Sequence, residues 1–225
     1  MKLKILFLMI SLHFPIANAN GASSEWQREE QVAVRLVSAF TSTGSATTVP
    51  LGLQFKLKPG WKIYWRSPGD AGLPPKVTWG SSENVKDLII GWPAPKRFSV
   101  LGLETLGYLD EVLLPVELKL KSPGATNVRA QLEYLICEKI CIPYVNNLEL
   151  SLPAGRAVLS DYSNLITQYM ARIPKRDGRH GLSIESARLT KSGDENEIIF
   201  VAQTINVFTQ PDIYVEGPAG SHFGK

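Results

Sequence analysis

The chain has 225 residues, of which 44 % are hydrophobic and 20 % charged. That balance belongs to an ordinary globular protein and excludes a disordered or fibrous one. The formal charge of +3 includes Lys2 and Lys4 at the very start, so the rest of the chain has too little positive charge to neutralise many phosphates, which argues against nucleic-acid binding.

The chain opens with a short basic segment, Met1-Lys2-Leu3-Lys4, followed by a mostly apolar run from Ile5 to Ile16 and then Ala17-Asn18-Ala19. This is the pattern of a secretory signal peptide cleaved after Ala19. The apolar run is too short for a membrane span, which needs roughly 20 residues. Residues 1–19 are therefore expected to be removed on export to an oxidising compartment.

Beyond that point the period is two. Val32–Leu36, Leu51–Leu57, Trp61–Trp65, Val116–Leu120, Val128–Ile136 and Leu148–Leu152 each alternate apolar with polar residues. Alternation puts one face of a strand on a core and the other toward water. Lys76–Trp79 and Val85–Ile90 are weaker strand candidates. Pro59-Gly60 and Pro123-Gly124 end two of the runs. Many short strands with few helices predict an all-β fold, an antiparallel β-sandwich. One peripheral helix is expected, capped by Ser160, with an apolar stripe from Tyr162 to Ile173 and a stop at Pro174. Lys175–Gly181 reads as a solvated linker. Strands resume at Leu182–Leu189, Glu197–Gln203 and Asp212–Glu216. The expected organisation is a signal peptide (1–19), a β-sandwich domain (20–174), a linker (175–181) and the opening strands of a second β-domain (182–225). A unit that short rarely buries enough surface to fold alone, so the chain reads as a fragment of a longer protein or the product of a truncated reading frame.

Familiar enzyme signatures are missing: no G-x-G-x-x-G, P-loop, G-x-S-x-G or H-E-x-x-H occurs. Beyond the signal segment the only histidines are His180 and His222, which leaves little for a His-centred catalytic or zinc site. Asp110-Glu111 is a poor acid/base pair, because neighbours on a strand face opposite ways.

Cys137 and Cys141 are the informative residues. Positions i and i+4 of a straight strand lie about 13 Å apart, whereas a disulfide needs Cα atoms within about 4.4–6.8 Å. If the two bond, Glu138-Lys139-Ile140 must turn the chain back, with one cysteine on each side of a hairpin tip. Three uses stay open. A structural clip would contribute only about 2 kcal/mol through so small a loop. A redox-active pair fits a short bridge that is easily reduced. A Cu(I) site through two thiolates is the third, although no Met or His stands nearby in sequence. Pro143 lacks an N–H and is expected to interrupt the ladder beside Cys141. Glu138 and Lys139 act on the thiols in opposite senses. Trp61, Tyr64, Trp65, Phe98 and Tyr108 are candidates for the walls or cap of the pair. Phe98 lies in Pro95–Gly102, read as a loop able to fold over the hairpin.

The combination Gly60-Trp61-Lys62-Ile63-Tyr64-Trp65-Arg66, Leu114-Pro115-Val116 and Cys137-x-x-x-Cys141 resembles the periplasmic N-terminal domain of the DsbD family of thiol:disulfide interchange proteins. It is most similar to the ScsB-like branch, whose N-terminal region carries two β-domains. The likeness covers roughly residues 30–155. It implies an immunoglobulin-like sandwich with its cysteine pair on a hairpin. No cofactor and no metal are expected. It also implies electron flow from the protein's own thioredoxin-like domain, fed through a membrane domain, to oxidised thioredoxin-fold partners in the periplasm. In the family the second cysteine carries the bond to the partner, and Cys141 matches it; Cys137 would then resolve. DsbD itself has five residues between its cysteines, and this chain has three. A non-catalytic periplasmic binding module with a structural disulfide is the other reading.

Overall fold

Alternation becomes strand wherever the sequence shows it. The computed structural model describes residues 22–100, 102–175, 181–193, 195–205, 207, 209 and 211–217. The expected signal segment 1–19 and most of the expected linker lie outside the described residues. In chain order the elements are β1 (Gln27–Arg28), β2 (Val32–Ser38), β3 (Thr48–Leu57), β4 (Lys62–Gly69), β5 (Lys76–Thr78), β6 (Val85–Ile90), β7 (Lys96–Val100), β8 (Leu103–Leu109), β9 (Glu111–Leu120), β10 (Thr126–Cys137), β11 (Cys141–Leu152), α1 (Ser163–Ala171), β12 (Leu182–Ser192) and β13 (Glu195–Thr204).

Two antiparallel sheets form an immunoglobulin-like sandwich. The first runs β1-β2-β3-β9-β6; the second runs β11-β10-β4-β8-β7, with β5 also paired to β10. Their inner faces meet in one core. Leu36, Leu53, Phe55, Leu114 and Leu118 come from the first sheet, and Ile63, Trp65, Leu132, Ile136 and Leu150 from the second. Phe55 and Tyr134 join the layers ring edge to ring face, with centroids 5.5 Å apart and planes at 73°. Such a contact adds to the area both rings bury. α1 closes one end: Ile166 and Tyr169 are buried, and the Tyr169 hydroxyl donates to the Glu111 carbonyl at 3.0 Å.

Three local readings change. Lys96–Val100 is a strand rather than a free loop. It pairs with β8 from Lys96↔Gly107 to Val100↔Leu103, and the Thr105 hydroxyl donates to the Phe98 carbonyl at 3.0 Å. The Pro/Gly flanks that suggested a loop mark the ends of a hairpin, and Gly102 takes the positive φ, 85°, that its turn requires. Ser160 is not the helix cap. Tyr162 holds that position without a side-chain bond, while Ser160 Oγ accepts from the Tyr162 N–H at 3.1 Å and orders the entry to the helix. Residues 211–217 carry no strand. They lie against the sandwich instead: Tyr214 meets Trp65 with centroids 6.0 Å apart, its hydroxyl donates to the Pro95 carbonyl at 3.1 Å, and Arg66 and Arg97 pair with Glu216 and Asp212.

β12 and β13 pair only with each other among the described residues. Ile184, Leu189, Ile199 and Val201 of this ribbon are exposed.

Phe55→Ala removes the ring that spans both layers. It should destabilise the fold by about 3–5 kcal/mol, read from urea denaturation. A loss below about 1 kcal/mol would contradict the account of the core.

Candidate redox site at the hairpin tip

The β10–β11 hairpin sets the site. The two strands pair without a break from Thr126↔Leu152 to Cys137↔Cys141. Glu138-Lys139-Ile140 forms the tip, and the Glu138 N–H donates to the Ile140 carbonyl at 3.0 Å. That bond fixes the phase of the ladder. Hydrogen-bonded and non-hydrogen-bonded pairs alternate in an antiparallel ladder. Glu138 and Ile140 are a bonded pair, so Cys137 and Cys141 form a non-bonded one, the closer kind. Their Cα atoms are 4.1 Å apart, and the two sulfurs are joined in a disulfide.

The register also decides which face carries the sulfurs. Ile136 pairs with Ile63, and both belong to the core. Cys137 pairs with Lys62, so Lys62, Tyr64 and both cysteines stand on the outer face of the second sheet. Cys137 sits on an inner strand, between β4 and β11, and is 0 % exposed. Cys141 sits on the edge strand and is exposed. One sulfur-bearing residue is enclosed and the other faces solvent.

Tyr64 supplies the wall. Its hydroxyl lies 4.0 Å from Cys141 Sγ, and because a disulfide sulfur carries no proton, the hydroxyl is the donor. Burial pushes this phenol above its ordinary range, so it stays protonated at neutral pH. The ring is covered in turn by the 69–75 segment. Gly72 has φ of 101°, and a Cβ there would stand 2.2 Å from Tyr64 Cε1. Glycine permits both the backbone angle and the approach. The segment is tied down at Asp70, whose N–H donates to the Glu104 carbonyl at 2.9 Å and whose carboxylate accepts from the Glu104 N–H at 3.1 Å.

The other residues singled out from sequence divide by face. Trp65 and Tyr108 point inward and belong to the core; the Tyr108 hydroxyl donates to the Pro93 carbonyl at 2.8 Å, and burial pushes it far above the usual phenol range. Trp61 packs against the same core. Phe98 lies on β7, separated from β10 by the two strands β4 and β8, with Lys62 Nζ 5.7 Å from its ring centre. It approaches the pair by way of Lys62, whose backbone is opposite Cys137. Pro143 is paired with Leu135 in the same non-bonded phase as the cysteines. Its missing N–H would have pointed outward, so the β10–β11 ladder continues past it instead of being interrupted. The 69–75 segment escaped notice in the sequence; its Gly-Asp-Ala-Gly-Leu-Pro-Pro composition was the available signal.

This arrangement can exchange disulfides. A thiolate reaching the exposed side displaces the enclosed sulfur, which remains beside it to reverse the step.

The family model of the N-terminal part of the thiol:disulfide interchange protein DsbD matches residues 28–153, more than half of the chain. The N-terminal periplasmic domain of ScsB from Proteus mirabilis is similar in structure, at 26 % identity and a TM-score of 0.56, over 82 % of this chain and 86 % of that one. The N-terminal domain of DsbD from Neisseria meningitidis, in its reduced form, aligns at 13 % identity with a TM-score of 0.31, over 57 % of this chain and 90 % of that one. No curated protein matches.

Gly72→Ala forces a side chain onto the Tyr64 ring from a backbone angle that disfavours one. It should cost more than about 1 kcal/mol and speed reduction of the disulfide by dithiothreitol. A variant with unchanged melting and unchanged reduction rate would show that the 69–75 segment does not shield the pair.

Proposed function

The chain belongs to the family of the N-terminal domain of thiol:disulfide interchange protein DsbD, and we propose that it relays reducing equivalents through Cys137 and Cys141 to thioredoxin-fold partners in the periplasm. The family acts in thiol:disulfide interchange with thioredoxin-like partners, and its N-terminal domains are periplasmic. No described helix is long and apolar enough to cross a membrane. The observation that carries the proposal is the burial contrast across one disulfide: Cys137 enclosed on an inner strand, Cys141 exposed on the edge.

The relay runs in two exchanges. In the reduced protein the Cys141 thiolate attacks a partner's disulfide. A sulfur–sulfur bond forms between Cys141 and one partner sulfur, and the other partner sulfur leaves as thiolate. The Cys137 thiolate then attacks Cys141 Sγ, closes the internal disulfide and releases the first partner sulfur. Two electrons pass to the partner, which takes up protons from solvent, and the pair ends oxidised. A dithiol of an upstream thioredoxin-like domain restores it by the reverse sequence. Tyr64 helps in both directions, because a protonated phenol beside Cys141 stabilises the thiolate there. Lys62, opposite Cys137, adds a positive charge on the same face. Trp61, Trp65 and Tyr108 hold β4 and β8 in place from below.

A purely structural role is a weaker reading. A five-residue loop contributes about 2 kcal/mol, and this end of the hairpin is already paired to β4. On the same reading β12–β13 are the opening strands of a second β-domain, as their exposed apolar residues support.

Cys137→Ser should trap a mixed disulfide between Cys141 and a thioredoxin-fold protein under mild oxidation, and Cys141→Ser should trap far less. Peptide mapping of the adduct checks the assignment. Equal trapping by both variants, or adducts mainly through Cys137, would reverse the roles.

A further inference from the structure

The ladder phase that pairs the cysteines also orients the backbone of β11. Its even-numbered residues, from Ile142 to Leu152, exchange hydrogen bonds with β10. Of the odd-numbered ones, Cys141, Val145 and Asn147 turn their N–H and C=O groups away from it, and Pro143, which has no N–H, its C=O. β11 is the edge of its sheet. Among the described residues no backbone group bonds to the outward N–H or C=O of Cys141 or Val145, or to the Pro143 carbonyl. The open edge therefore begins at the exposed cysteine itself.

Edges are normally blunted by charge. From Ile140 through Asn147 this edge carries no charged residue. Ile140, at the hairpin tip, is 65 % exposed and Val145, four residues beyond Cys141 on the strand, 60 %, so exposed apolar side chains lie on both sides of Cys141 in the chain. Pro143 withholds one donor, which limits indiscriminate strand pairing while leaving the groups of Cys141 and Val145 intact.

We propose that the Cys141–Val145 edge is the docking surface for the redox partner, which adds one short, extended, uncharged segment as an extra strand. The occupant is the segment next to the partner's redox cysteine. Strands lie about 4.8 Å apart, so a chain paired to the Cys141 and Val145 backbone carries its neighbouring sulfur to the exposed side of the disulfide. Backbone bonds supply the alignment, and Ile140 and Val145 supply the apolar contact. Recognition through main chain accommodates several partners, since it reads little of their sequence. The proposal rests on the relay reading given above.

The test uses the full chain with Cys137→Ser and, as the partner probe, a thioredoxin whose resolving cysteine is Ser. Cys141 is first converted to its mixed disulfide with thionitrobenzoate; the thioredoxin thiolate attacks Cys141 Sγ and expels thionitrobenzoate, which joins the two proteins, and backbone amide hydrogen exchange is measured before and after. The Cys141 and Val145 amides should become protected in the adduct, while amides of the opposite edge strand β7 do not. Val145→Pro removes an outward N–H without touching a β10–β11 bond. In a chain with both cysteines it should lower the ratio of thioredoxin to dithiothreitol exchange rates about tenfold, the value of roughly one hydrogen bond. An adduct whose Val145 amide stays unprotected overturns the docking edge, as does a folded Val145→Pro protein with an unchanged ratio. Failure to form any adduct through Cys141 is a different result: it defeats the relay itself.

Discussion

The whole site depends on one backbone hydrogen bond, from the Glu138 N–H to the Ile140 carbonyl at 3.0 Å. It closes the hairpin so that Cys137 and Cys141 face each other in the near, non-bonded phase, with Cα atoms 4.1 Å apart. A slip of one residue in either strand would turn that strand's cysteine to the opposite face of the sheet, away from its partner. The core guards against that slip, because Ile136, Tyr134 and Leu132 are buried on the inner face of the same strand. The sandwich thus holds the redox pair in register through apolar residues that never touch sulfur.

Strand order then makes the two cysteines unequal. Both side chains stand on the outer face, yet β10 has a neighbour on either side and β11 has only one. Cys137 is covered and Cys141 is not. This inequality needs no special loop over Cys141: it follows from placing a disulfide across the last two strands of a sheet. Tyr64, pressed down by the 69–75 segment through Gly72, completes the wall. Its phenol keeps its proton in the buried site, so it can donate to sulfur in either redox state.

The strand content and the hairpin were legible because period two is a strong signal and because spacing alone rules out a disulfide within a straight strand. The face each residue occupies is less plain. Trp61, Tyr64 and Trp65 looked alike as an aromatic run, but their own alternation separates them: Tyr64 shares a face with the cysteines, and Trp65 shares one with Ile63. Pro143 suggested a broken ladder, since sequence does not reveal whether its nitrogen points toward the neighbouring strand or away. Pro95–Gly102 looked like a cap because proline and glycine mark both loops and the ends of hairpins. The role of the segment that covers Tyr64 is not local: its contact is long-range, and only the tertiary fold brings Gly72 onto that ring.

A redox titration of Cys137 and Cys141 in defined thiol–disulfide buffers tests the central claim most directly. A relay pair has a reversible two-electron midpoint above about −300 mV, within reach of thioredoxin-fold proteins. A midpoint well below that value, with the disulfide resisting reduction until the protein unfolds, would identify a structural clip and contradict the relay.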